Sequence, residues 1–293
     1  MTLRLPQRET TMLATFSDIT RYFLSQRKAS IRTNSDSGRT VFWRTPLLNN
    51  EQAATLLEQW HRESSGLKHL FGDQKRYVFP QLEITLGERI FIPKVYKVRK
   101  LSQNLIALAF SEAERNCATQ TYLFDKAVRV PMPAGVLNTY KKGWLTESVF
   151  FQEKLPASCV AYKEFLKTVR NLGPDVRRGF FNQLGLDLGR LHALGVYTED
   201  TDQNMVVETL PGDEFRFHFF DFDNFYPWRY PNLRRTAHAF RHYADSNHYT
   251  CTPEELDIFL DSYLEIRDKW QWRAPIMDNL KTRKPQIFAA RNS

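Results

Sequence analysis

Three short stretches gather the residues whose chemistry exceeds what a fold needs. "EFRFHFFDFDNF" (214–225) sets Asp221 and Asp223 two apart among phenylalanines. A carboxylate in such apolar surroundings is costly as an ion unless a metal or a hydrogen-bond donor meets it. That makes the pair a candidate cation site, with a turn or capping aspartate as the plainer alternative. "IFIPKVYK" (90–97) sets Lys94 within an apolar strand, with Lys97 as a second cation. An ammonium there demands an anionic partner, unless it lies on the solvated face of an edge strand. "GVYTEDTDQN" (195–204) collects Glu199, Asp200 and Asn204 in one polar loop. By residue type alone this is either a solvated surface loop or a set of groups that bind protons and cations.

Recognisable elements must position these stretches. Met12, Phe16, Ile19 and Phe23 recur at helical spacing, "ASIRTNSDSGR" (29–39) has the small polar composition of a linker, and Asn49 with Gln52 opens a second helix as a capping box. This predicts an N-terminal helical extension and linker over residues 1–70. From Arg76 two β-rich runs flank Leu86-Gly87-Glu88 as an antiparallel hairpin. A helix over Ser111–Phe124, the extended "RVPMP" and the strand "SVFFQEKL" follow, giving a small α+β lobe over 71–156. Helices over 160–172, 178–194 and 252–268 make residues 157–293 a helical lobe, the last carrying Thr252, Pro253 and Glu255 as cap, first-turn proline and capping box. The acidic loop and the Asp221 strand are the one interruption of that lobe. Alternation puts Phe217, Phe219 and Asp221 on one face of the strand.

Composition narrows the function class. With 25% charged and 14% aromatic residues the chain reads as a packed globular protein rather than a disordered one. Three cysteines without a C-x-x-C pair argue against a disulfide framework and a zinc knuckle. No apolar run has the length of a spanning helix or a secretory signal, so the expected location is the cytoplasm. The net charge of +8 sits at the ends: eight basic against three acidic residues over 1–48, and seven against two over 267–293. Basic ends suit contact with an anionic membrane surface at least as well as nucleic acid. There is no G-x-S-x-G elbow and no Walker phosphate loop. His238 and His242 stand four apart, a spacing that can clamp zinc, but no adjacent glutamate or third ligand accompanies them and packing histidines are the simpler reading.

In order along the chain, four fragments resemble the protein-kinase-like superfamily, and within it the lipopolysaccharide core kinases of the Kdo and heptose group, over roughly Val78 to Tyr263. The fragments are "IFIPKVYK", "SEAERNCATQTYLFDKAVRVPMP", "LGLDLGRLHALGVYTEDTDQNMVV" and "FRFHFFDFDNF". The resemblance implies a two-lobed α+β fold and transfer of the γ-phosphoryl group of ATP, with Mg2+, to a sugar hydroxyl of the lipopolysaccharide core or its lipid-linked precursor. It implies Lys94 on the α- and β-phosphates, Glu114 as its partner with Glu112 as alternate, and Glu153 near the adenine. Asn204 and Asp221, with Asp223 beside it, would hold magnesium. Arg229, Arg234 and Arg235 would meet a phosphorylated saccharide. Ser111 and Glu114 also have capping-box spacing, which is the competing use of that glutamate.

The catalytic loop departs from the family pattern. Counting back from Asn204, the aspartate position holds Glu199 and the histidine position Tyr197, while Asp200 follows one residue late. Either carboxylate is the candidate base. The hairpin at Thr85 to Arg89 carries only Gly87, where a phosphate-cradling loop has several glycines. Two further readings stand beside the kinase: a pseudokinase that binds nucleotide or partners in envelope assembly, and a small-molecule phosphotransferase of the aminoglycoside type. The implied place is the cytoplasm or the inner-membrane surface of a Gram-negative bacterium, with no nucleic-acid partner.

Overall fold

The computed structural model describes residues 19–21, 30–35, 38–64, 76–78, 82–97, 111–197, 202–222, 231–246 and 248–289. The helix read over 12–26 falls almost wholly outside these, only residues 19–21 being described, as helix. The first lobe is an antiparallel sheet. Its strands are β1 (Ser30–Ser35), β2 (Gly38–Arg44), β3 (Arg76–Val78), β4 (Ile84–Leu86), β5 (Arg89–Lys97), β6 (Pro133–Lys141) and β7 (Trp144–Glu153). They run in the order β1-β2-β6-β7-β5-β3, and β4 also pairs with β5. The turn between β4 and β5 is the Gly87–Glu88 hairpin that the sequence predicts, with Gly87 at φ 62, where a side chain is disfavoured.

Two helices cover the two faces of this sheet. Alternation sends Phe91 and Val95 of β5 to one side with Phe151 and Val149 of β7, and there α1 (Asn50–Ser64) buries Ala53, Leu56 and Trp60 against them. Tyr96 and Phe150 point to the other side, where α2 (Glu112–Asp125) packs Ala113 and Cys117. Lys94 shares the face of Tyr96, so its ammonium stands on the α2 side of the sheet.

Two expectations are corrected here. Residues 30–35 and 38–39 are strand, not linker: β1 pairs with β2, and β2 extends the sheet by pairing with β6, Phe42 opposite Leu137. Backbone pairing at a polar edge leaves no hydrophobic signature, which is why composition misleads. The helix from Asn49 is no appendage either. Its capping box forms as read, at 3.0 and 2.8 Å, but its apolar stripe completes the sheet lobe's core, so this lobe carries a helix on each face rather than one helix.

The chain crosses after Glu153 into the second lobe, built from β8 (Cys159–Ala161), α3 (Tyr162–Val169), α4 (Pro174–Ala193), β9 (Met205–Leu210), β10 (Glu214–Phe219), α5 (Leu233–Ala244), α6 (Pro253–Arg267), a 3-10 turn (Trp270–Trp272), α7 (Arg273–Arg283) and α8 (Gln286–Ala289). A small sheet, β10-β9-β8, sits beside the helices. Phe215, Phe217 and Phe219 of β10 all turn inward, onto Phe180 and its neighbours on α4. α4 and α6 approach closely because Gly185 faces Phe259 and Ser262 without a side chain of its own. The α6 capping box of Thr252 and Glu255 forms as the sequence predicts. The C-terminal half of α2 belongs to this lobe as well: Ala118, Tyr122 and Leu123 enter its core, so α2 is wedged between the two halves.

Candidate functional site

The site builds outward from the end of β10. The strand stops at Phe219, and Asp221 turns the chain with φ 61, a left-handed conformation that a non-glycine residue holds only when its surroundings enforce it. Asp221 therefore does not continue the strand face as its alternation predicts. The Phe220 N–H donates to the Asn204 carbonyl at 3.0 Å, and Asn204 Nδ2 donates to the Asp221 carbonyl at 3.3 Å. Asn204 stands just before β9, which pairs with β10 in the register Met205 opposite Phe219. Strand pairing thus brings the two residues together across a separation of seventeen positions.

From the sheet lobe, Lys94 reaches the same point. Its Nζ donates to Asp221 Oδ1 in an ion pair joining residues 127 positions apart, both side chains mostly shielded from solvent. The register explains the reach: Lys94 lies opposite Phe150 and Val78, between β7 and β3, with its head over the Tyr96 ring at 5.2 Å. An ammonium between two strands, met by a carboxylate from the other lobe, has the anionic partner its burial calls for.

The remaining sequence candidates are placed as follows. Glu114 is buried on α2 and closes a capping box: the Ser111 N–H donates to its Oε2 at 2.7 Å, and its own N–H donates to Ser111 Oγ at 3.1 Å. Glu153 ends β7 at the crossing between lobes, accepts from the Met132 N–H at 3.4 Å and lies 3.8 Å from Arg89. Arg234 is exposed at the start of α5, and the Arg235 guanidinium lies 5.9 Å from the centre of the Tyr197 ring, at the entrance to the acidic loop. Glu199, Asp200, Asp223 and Arg229 lie outside the described residues. Asp202, in the same loop, is anchored to Lys163 of α3 at 3.1 Å. His192 is buried: its Nδ1 meets the Tyr263 hydroxyl at 2.9 Å, and burial, aided by the Arg267 charge, pushes its pKa well below the usual imidazole value. His238 and His242 bring their Nε2 atoms to 3.4 Å, and among the described residues no group of three or more possible metal ligands forms.

Sequence reasoning missed two residues. Asn116, fully buried on α2, has Nδ2 3.1 Å from Tyr96 Oη and 3.4 Å from Asp221 Oδ1, and its Oδ1 accepts from the Phe222 N–H at 3.0 Å. Tyr96, two residues after Lys94 on β5, supports that amide. The available signal was an asparagine inside a helix among small residues, a poor helix former that usually has a hydrogen-bonding reason to be there.

Oxygen donors remain for a cation. Among the described residues, the Asp221 side-chain bonds all go to Oδ1 and the Asn204 side-chain bond uses Nδ2, leaving Asp221 Oδ2 and Asn204 Oδ1. Magnesium binds one or two protein oxygens and takes the rest from phosphates and water. The donor set fits that ion.

The chain matches no protein-family model and no curated protein sequence. Its fold is similar to that of WaaP, solved in complex with acyl carrier protein, with a TM-score of 0.52 over 74% of this chain and 86% of that one at 15% identity. A glucosamine kinase structure aligns over 85% of this chain and 79% of its own at 14% identity with a TM-score of 0.28, too loose to argue from. The likeness to WaaP concerns architecture: the fold is α+β, two-lobed and protein-kinase-like, as the order of the four fragments implies. No described helix is long and apolar enough to cross a membrane.

Proposed function

We propose that this protein is an ATP-dependent phosphotransferase that phosphorylates a sugar hydroxyl of the lipopolysaccharide core, working at the cytoplasmic face of the inner membrane. One observation carries the reading: Lys94 and Asp221 come from different lobes and meet in an ion pair at their junction. In phosphoryl transfer the protein contributes position and charge rather than covalent chemistry. Lys94 would release Asp221 and grip the α- and β-phosphates, while Asp221 and Asn204 would hold magnesium. Bound there, the ion would supply neutralisation of phosphate charge. Glu199 or Asp200 would orient the acceptor hydroxyl and accept its proton, with Asp223 beside the metal. Glu153 marks the crossing segment along which an adenine would lie. Arg234 and Arg235, with Arg229, provide cations for a phosphorylated saccharide, the kind of acceptor a guanidinium fork suits.

The test is turnover. Purified protein with ATP, magnesium and a panel of core oligosaccharides should yield ADP and a phosphorylated sugar, and Asp221→Ala should abolish this while circular dichroism stays unchanged. Activity retained in Asp221→Ala would sink the assignment. The pseudokinase reading draws on Glu199 in the aspartate position and on the single glycine of the β4–β5 turn. Magnesium-dependent ATP binding without turnover on any acceptor would favour it.

A further inference from the structure

The Asp221 turn is held from both sides by an asparagine, one from each lobe. Asn204 secures the carbonyl side from just before β9, donating Nδ2–H to the Asp221 carbonyl and accepting the Phe220 N–H on its own carbonyl. Asn116 secures the opposite side from α2, taking the Phe222 N–H at 3.0 Å and placing Nδ2 3.4 Å from the Asp221 carboxylate. We propose that Asn116 is a positioning residue that fixes the left-handed Asp221–Phe222 turn, and with it the Asp221 carboxylate, to helix α2. The inference rests on the reading of Asp221 as a magnesium ligand.

Three features support the assignment. A residue at φ 61 without glycine's freedom relaxes unless it is over-determined, and among the described residues Asn116 Oδ1 is the acceptor that meets the Phe222 N–H. The amide itself is fixed, since Tyr96 Oη accepts from Nδ2 at 3.1 Å and the residue is wholly buried. That hydroxyl also belongs to the tyrosine whose ring lies under the Lys94 head, so strand β5, helix α2 and the Asp221 turn share one network. Glu114, the α2 carboxylate the family resemblance points to, has Oε2 in the cap of its own helix. Asn116 is thus a direct hydrogen-bonded link between α2 and Asp221, and a shift of this helix would move the carboxylate with it. In the nucleotide complex, once Lys94 turns to phosphate, Asn116 would keep Asp221 aimed.

Hydrogen exchange and calorimetry together test this. Asn116→Leu keeps the side-chain size and removes both donor and acceptor. The Phe222 amide should then exchange about tenfold faster or more, the effect of losing a hydrogen bond worth ~1–1.5 kcal/mol, while α2 stays protected. ATP affinity measured with magnesium should fall by a similar factor, and affinity measured without magnesium, which depends on Lys94, should not. Asn116→Asp retains an acceptor for Phe222 and should keep that amide protected, so it serves also if the leucine variant does not fold. Wild-type exchange at Phe222 in Asn116→Leu, or faster exchange with the magnesium effect intact, would overturn the proposal. Absence of magnesium-dependent ATP binding in the wild type would instead overturn the nucleotide reading, and Phe222 exchange would still decide whether Asn116 holds the turn.

Discussion

At the scale of single residues, Asp221 combines a demanding backbone with a demanding charge. Its φ of 61 disfavours any residue with a Cβ, and aspartate is among the few that tolerate the left-handed region. Replacing it separates the two properties. Asp221→Ala and Asp221→Gly both remove the carboxylate, but only glycine relieves the turn. The glycine variant should therefore be the more stable by about 1 kcal/mol in urea denaturation, while neither responds to magnesium. Equal stabilities would mean that the turn relaxes once the side chain is gone. The sequence marks Lys94 and Asp221, because a charge among apolar residues is visible in one dimension, and Asn204 through its place at the end of the acidic loop. It does not mark Asn116, whose partners on β5 and after β10 are distant in the chain and are amides and hydroxyls rather than charges.

At the scale of elements, the helical lobe depends on how near α4 comes to α6. A Cβ added at Gly185 would stand 2.5 Å from the Phe259 carbonyl oxygen, whereas one added at Gly179 of the same helix would meet nothing within 4 Å. Helix propensity favours alanine at both by up to ~1 kcal/mol, but overpacking against backbone costs roughly 1–3 kcal/mol. Gly185→Ala should lower the melting temperature by about 2–4 °C and Gly179→Ala should raise it slightly. A rise in both would show that the interface yields. Elements whose ends carry their own signals were legible from sequence: the capping boxes at Asn49, Ser111 and Thr252 and the turn at Gly87 all form where residue types predict them. The β1–β2 hairpin was not, because the edge strand β1 is held by backbone bonds to β2, and β2 in turn by bonds to β6, which the polar residues of β1 do not announce. The place of α1 was hidden for a related reason: its apolar stripe says that it packs, not on which face of which sheet.

For the whole molecule, two kinds of contact join the lobes. Some are structural: the Phe219 N–H donates to the Arg129 carbonyl at 2.9 Å, and Arg129 pairs with Asp187 of α4 at 3.0 Å. Others converge on Asp221, through Lys94 and Asn116. Global stability should carry an acid dependence from His192, which burial holds neutral with a pKa well below 6.5. The unfolded chain takes up this proton below about pH 6.5 while the folded chain does not, so this contribution is full above that pH. It is lost on acidification at up to about 1.4 kcal/mol per pH unit. Urea titrations at pH 7.5 and 5.5 should show a smaller pH effect in His192→Gln than in the wild type, and an identical effect would refute the buried neutral imidazole. The central claim, that the junction of the lobes is a magnesium–nucleotide site, is tested most directly by calorimetric titration of the protein with ATP, with and without magnesium, alongside Lys94→Ala and Asp221→Ala. The account predicts magnesium-dependent binding that both substitutions abolish; no binding by the wild type, or binding unchanged in the two variants, would contradict it.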